Sequence, residues 1–339
     1  MDSVTQIALG AALGVAVLGR QGRVWRAVLT GAVVATLPDL DAFIDHGDAI
    51  RNMTLHRAES HALFWLTLAS IPLTALVVAI WREPGLWRRW WLAVWLMLLT
   101  HPLLDTMTIY GTQLALPWSD EPWGIGSVFI IDPLYTLALL IGTGVALVRR
   151  ADARGRRWNA AGLVLSTLYL GWGLGAQQLA LARAEAALAA AGQPAVQVLA
   201  LPTAFNSLLW RLVVITPDDG WLEGYTALPD AGLPRFERFP RGEVLFARWR
   251  HDPAVARLAR FTHGYWQMRR LADGRVVITD LRMGQQPWFT FEFVVGRDLG
   301  AHREPAPATR IREPPPVATV LRWIVHRIGD ESLPPPRLP

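Results

Sequence analysis

The sequence predicts an α-helical membrane bundle of about six helices, followed by a smaller α+β extramembrane domain of mainly antiparallel sheet. Three observations lead there. Of the 339 residues, 52% are apolar and only 18% charged, against about 45–50% and about 25% in an average soluble domain. Residues 1–182 hold nearly every long apolar run. Residues 183–302 alternate apolar and polar positions, and residues 303–339 form a Pro/Arg-rich tail with room for one short helix.

A bilayer core about 30 Å thick takes roughly 20 apolar residues as a helix. Candidates lie at about 4–18, 25–43, 61–81, 90–109, 128–148 and 158–181. The first is short. Gly10 and Gly14 in the first segment, and Gly171 and Gly175 in the last, have the small-xxx-small spacing that lets helices approach closely. The loops after segments one, three and five carry Arg20, Arg23 and Arg26, then Arg82, Arg88 and Arg89, then Arg149, Arg150, Arg154, Arg156 and Arg157. The other two loops hold only Arg51 and Arg57 between them, so the positive-inside rule puts those loops, the N-terminus and the C-terminal domain outside the cytoplasm. Trp81, Trp87, Trp90, Trp91 and Trp158 would flank the cytoplasmic ends as an interfacial belt. In the C-terminal part, 208–215, 275–280 and 288–295 read as strands, with turns at Pro217-Asp218-Asp219-Gly220 and Asp273-Gly274. Residues 252–260 and 317–328 read as helices, and the prolines from about 303 predict irregular structure around the last one.

Composition also excludes chemistry. With no cysteine there is no disulfide, thiolate metal site, iron–sulfur cluster or cysteine nucleophile. Asp2 before the first apolar run does not suit an ordinary signal peptide. All 33 basic side chains are arginine, and a net charge of +5 gives no reason to expect nucleic acid. No obligate protein partner is evident; membrane lipids are the expected surroundings.

Ionisable groups in or beside spans are costly and point to function. Segment two ends in Leu37-Pro38-Asp39-Leu40-Asp41, segment three is entered through His56-Arg57-Ala58-Glu59-Ser60-His61, and segment four carries His101-Pro102-Leu103-Leu104-Asp105. Counted at about 1.5 Å per residue from Trp90, His101 lies roughly 16 Å deep and Asp105 roughly 22 Å, in the outer half of the membrane. Asp39 and His61 reach the same level, and Asp2, Thr5 and Gln6 begin segment one there. His101 and Asp105, four apart, share a helix face. His56 and His61, five apart, would splay by about 140° on one helix, which puts His56 in the loop. Imidazole with carboxylate and no thiolate suits Zn²⁺, with Mn²⁺ or Fe²⁺ as alternatives. A bound ion would offset the buried charge and acidify a water, so metal-assisted hydrolysis is the expected chemistry.

These stretches, with the MDSVTQIALGAALG start, HPLLDTMTIYGTQLALPWSD and SVFIIDPLYT, resemble the YdjM/DUF457 family of membrane-bound metal-dependent hydrolases over roughly residues 1–145. The resemblance implies a multi-pass bacterial inner-membrane protein with its metal on Asp39, Asp41, His56, His61, His101 and Asp105. Many relatives have Thr-His near the start where this chain has Thr5-Gln6. The His-x-x-x-Asp helix beside an Asp-rich turn is also similar to zinc-dependent phospholipase C and related nucleases, which implies a phosphodiester or phospholipid substrate. Arg57 could then bind phosphate through its planar fork.

Within that frame Glu59 or an uncoordinated carboxylate, Asp105 included, is the expected general base. Gln113 is a candidate substrate contact; Thr112, Asp120 and Asp132 either line the site or cap helices. Two other classes fit the polar groups. An ion or proton transporter would also place Asp and His inside spans, although no repeated halves are visible. A non-catalytic scaffold would use the C-terminal domain for binding. No serine is evidently paired with a base at this depth, which disfavours a serine protease.

Overall fold

The computed structural model describes residues 1–19, 23–300 and 302–337; Arg20 lies outside them. A helical N-terminal region is followed by a sheet-rich C-terminal one. The first region contains α1 (Ser3–Leu18), α2 (Val24–Val34), α3 (Ala49–Leu55), α4 (Leu63–Trp81), α5 (Trp87–Asp105), α6 (Pro133–Val148) and α7 (Ala153–Ala190). Local sequence sets their ends. The Asp2 carboxylate caps α1 by accepting from the backbone of Val4 and Thr5, and Asp132 caps α6 in the same way with Pro133 in the first turn.

Among the described residues only α4 is long and apolar enough to cross a membrane; α1 and α6 are apolar but have 16 residues each. The segment predicted at 25–43 is not one helix. α2 stops at Val34, and the chain re-forms as a 3-10 turn over Pro38–Phe43, where proline has no N–H to continue an α-helix. Gly10 lies so close to α2 that an added Cβ would stand 2.3 Å from the Gly31 carbonyl oxygen, and one on Gly14 would stand 2.4 Å from that of Ala27. Gly171 and Gly175 face open space instead, and Gly173 approaches Ser127. Trp90, expected in the belt, is fully buried and donates its indole N–H to Glu83 at 2.9 Å.

The C-terminal region contains β1 (Gln197–Pro202), β2 (Leu209–Ile215), β3 (Gly220–Ala227), β4 (Phe236–Pro240), α8 (Glu243–Trp249), α9 (Pro253–Phe261), β5 (Trp266–Arg270), β6 (Arg275–Asp280), β7 (Gly284–Gln285), β8 (Trp288–Phe289), β9 (Glu292–Asp298), β10 (Arg303–Ile311) and α10 (Val317–Gly329). All strand pairs are antiparallel, in sheets ordered β1-β2-β3-β4 and β10-β9-β6-β5 with a small β7-β8 hairpin. The stretch expected as one strand at 288–295 is divided between β8 and β9. The proline-rich start of the tail is not irregular. It forms the edge strand β10, with a register shift between Pro305 and Thr309, the placement in which a sheet tolerates proline.

The chain divides into two compact units: Met1–Phe43 with Arg57–Leu174, and Ile44–His56 with residues from Gly175 onward. In the first, Leu18, Val34, Trp90, Val94, Met97 and Leu98 form one core cluster. In the second, alanines 176, 180 and 184 of α7 pack on Ala200, Trp210 and Leu212. Small residues there let the helix lie close to the sheet.

Candidate metal centre

Four side chains from three chain segments of the first unit converge. Asp39 projects from the Pro38–Phe43 turn, His61 ends a second 3-10 turn at Glu59–His61, and His101 and Asp105 occupy the last turns of α5. Both imidazoles and the Asp105 carboxylate are completely buried, whereas the Asp39 side chain is 22% exposed. One ligand atom from each lies within 4.8 Å of the others, a group that could hold a metal ion.

The distances test that fit. Asp39 Oδ1 is 3.4 Å from His61 Nε2 and 3.4 Å from His101 Nε2. Asp105 Oδ2 is 3.4 Å from His61 Nε2 and 3.5 Å from His101 Nε2, and the two Nε2 atoms are 3.1 Å apart. A tetrahedron with metal–ligand bonds of about 2.0–2.2 Å has edges of about 3.3–3.6 Å, so four of these five spacings match and the fifth is slightly short. Asp105 Oδ2 also lacks an aligned hydrogen-bond donor among the described residues. The Arg57 guanidinium faces this oxygen at 3.2 Å without a hydrogen bond's alignment, which leaves an electron pair that a metal cation could take.

Neighbouring groups orient the ligands. His101 Nδ1 lies 2.6 Å from the Ala35 carbonyl just past α2, a bond the imidazole makes as donor, which turns Nε2 into the cluster. His61 Nδ1 meets Ser60 Oγ at 2.9 Å, and Ser60 in turn donates to Asp41 Oδ2 at 2.5 Å. Asp41 therefore stands on the Nδ1 side of His61, 3.5 Å away, rather than among the four converging atoms. Asp105 Oδ1 accepts from Gln6 Nε2 at 3.1 Å and from the Met1 amino group.

Arg57 is buried beside the cluster, its Nε 3.2 Å from Asp105 Oδ2 and its guanidinium 4.9 Å from the Tyr110 ring centroid. Its backbone sits at φ 66°, a left-handed conformation that a non-glycine residue holds only when its surroundings enforce it. They do so here: its N–H donates to Asp41 Oδ2 at 2.9 Å and its carbonyl accepts from the Gln113 N–H at 3.0 Å.

The remaining sequence candidates are placed differently. His56 closes α3 in the second unit and is not one of the four. Glu59 opens the turn that ends in His61 and is exposed. Gln113 is buried, with its backbone on Arg57; Asp120 is exposed; Asp132 is a helix cap that also accepts from the Tyr169 hydroxyl at 2.9 Å. Sequence reasoning gave Ser60 no part in the cluster, although its place beside His61 was a signal, and it missed the Ala35 carbonyl, which no residue type could have marked.

Comparison with known proteins finds relatives over part and over most of the chain. The chain is 34% identical over 108 residues to inner membrane protein YbcI of Escherichia coli (strain K12), a match covering 30% of this chain and 61% of that protein. It is 23% identical over 318 residues to the uncharacterized protein YfhP of Bacillus subtilis (strain 168), covering 88% of this chain and 92% of that one. No solved structure matches. The family model described as YdjM inner membrane protein matches residues 1–180, just over half the chain, and this chain therefore belongs to the YdjM inner membrane protein family.

Proposed function

We propose that the chain is a multi-pass protein of the bacterial inner membrane whose six apolar segments carry a Zn²⁺-dependent hydrolytic site opening outside the cytoplasm. The observation that carries this reading is the convergence within 4.8 Å of two imidazole nitrogens and two carboxylate oxygens from Asp39, His61, His101 and Asp105, with imidazole–carboxylate spacings of 3.4–3.5 Å. Nitrogen and oxygen donors at those spacings favour Zn²⁺, with Mn²⁺ or Fe²⁺ accommodated by the same set.

A divalent cation held there would supply Lewis acidity and a water of lowered pKa. The protein's own groups do the rest. Asp41 through Ser60, and the Ala35 carbonyl directly, keep both imidazoles presenting Nε2. Glu59, or a carboxylate not engaged as ligand, accepts the water's proton as the water oxygen bonds to the phosphorus of a phosphodiester or phospholipid. The ester P–O bond then breaks and the proton passes to the departing alkoxide. Arg57 and Gln113 border this space.

Elemental analysis of detergent-purified protein tests the reading. Wild type should carry near-stoichiometric metal and cleave a chromogenic phosphodiester, and His101→Ala should lose both. Equal, substoichiometric metal in the two proteins overturns it, and metal-dependent ion flux in vesicles without hydrolysis would favour a transporter.

A further inference from the structure

We propose, on the strength of the hydrolase reading above, that the substrate is a lipid of the surrounding membrane, with Arg57 seating a phosphodiester oxygen and the acyl chains running over the apolar rim beside Asp39.

The first observation is an unspent donor. Arg57 is 3% exposed, its backbone is clamped on both sides, and its guanidinium is fixed between the Tyr110 ring and Asp105. Nε faces Asp105 Oδ2 at 3.2 Å without a hydrogen bond's alignment, and both Nε and Nη1 are buried with no hydrogen-bond acceptor among the described residues. A buried N–H without an acceptor is a standing cost, and an arginine fork beside a candidate cation is matched by the oxygens of a phosphoryl group. A helix-fastening ion pair would align Nε on the carboxylate and has no need of a buried Nη1.

The second observation is the character of the entrance. Of the four ligand side chains only Asp39 reaches the surface. Its companions on the same turn are Leu40, 55% exposed, and Phe43, 86% exposed. Trp118, 74% exposed, packs edge-on against Phe64 at 4.9 Å, and its loop is tied to the start of α4 where Leu63 N–H donates to the Leu114 carbonyl at 3.1 Å. Trp118 and Phe64 adjoin the first turn of the helix apolar enough to cross a bilayer, the level at which lipid phosphates and interfacial aromatic rings gather.

The test uses full-length protein loaded with Mn²⁺, whose paramagnetism speeds phosphorus NMR relaxation of any phosphate held beside it. The probes are dihexanoyl-phosphatidylglycerol as monomer and its deacylated headgroup, glycerophosphoglycerol. Wild type should relax the lipid strongly and the headgroup weakly. Arg57→Gln should keep its Mn²⁺ but bind the lipid roughly ten- to a hundredfold more weakly, the loss expected for one charge-assisted hydrogen bond. Arg57→Lys should fall between the two. Phe43→Ser, at an exposed position, should weaken the lipid while leaving the headgroup unchanged, and it keeps the proposal falsifiable should Arg57→Gln fail to fold. Metal-loaded Arg57→Gln that binds lipid as wild type does, or a headgroup that binds as tightly as the lipid, overturns the proposal. Full Mn²⁺ occupancy without lipid relaxation defeats this proposal alone, whereas wild type that takes up no metal defeats the hydrolase reading and this proposal with it.

Discussion

Ser60 stands between Asp41 and His61, accepting no role from the size of its side chain but from two short bonds, 2.5 Å to the carboxylate and 2.9 Å to Nδ1. It fixes which imidazole nitrogen faces the cluster, since an Nδ1 held by an outer partner leaves Nε2 free to take a metal ion. Ser60→Ala should therefore lower Zn²⁺ affinity by about 10–100-fold in competition with a chelator, the range for loss of such an outer partner, while helical content stays constant. An unchanged affinity would separate Asp41 and Ser60 from the metal altogether. The spacing of His101 and Asp105 was legible in the sequence because α-helical geometry alone puts residues four apart on one face. Asp41 was not separable from Asp39, because two carboxylates either side of a leucine look alike until the backbone turn aims one at His61 Nε2 and the other at Nδ1.

At the scale of the helix, the contact between α1 and α2 is set by glycine. A Cβ on Gly31 would stand 2.2 Å from the Gly10 carbonyl oxygen, backbone that cannot rotate out of the way. Gly31→Val should force the helices apart at a cost of about 1–3 kcal/mol or more, read as a lower thermal midpoint in detergent. Metal content should fall with it, since Ala35 and Asp39 both follow α2 directly. Gly171→Ala, in open space, should leave both unchanged. Both glycine pairs carry the same spacing, and only the path of the neighbouring helices tells them apart. The break after α2 has a sequence cause that hydropathy hides: residues 25–43 are apolar enough to read as one span, but Pro38 ends the ladder of backbone bonds. The same residue type misleads in reverse at β10, where an edge position lets Pro305 and Pro307 sit in a strand.

At the scale of the whole molecule, two units are folded from interleaved chain, with residues 44–56 joining the sheet-rich unit and α7 contributing to both. Arginine bias across the loops predicts that a reporter fused after residue 330 is active only outside the cytoplasm; activity in the cytoplasm would reverse the proposed topology. By itself the sequence determined that a helical, apolar half precedes an antiparallel sheet domain, and that imidazoles and carboxylates recur beside the ends of its helices. Periodicity and composition are local properties, and they survive being read one segment at a time. Which of those groups meet was decided only by tertiary structure. Ångström-scale spacing among Asp39, His61, His101 and Asp105 depends on how closely glycine-lined helices approach and on where two short turns aim their side chains, and neither is encoded in any one segment.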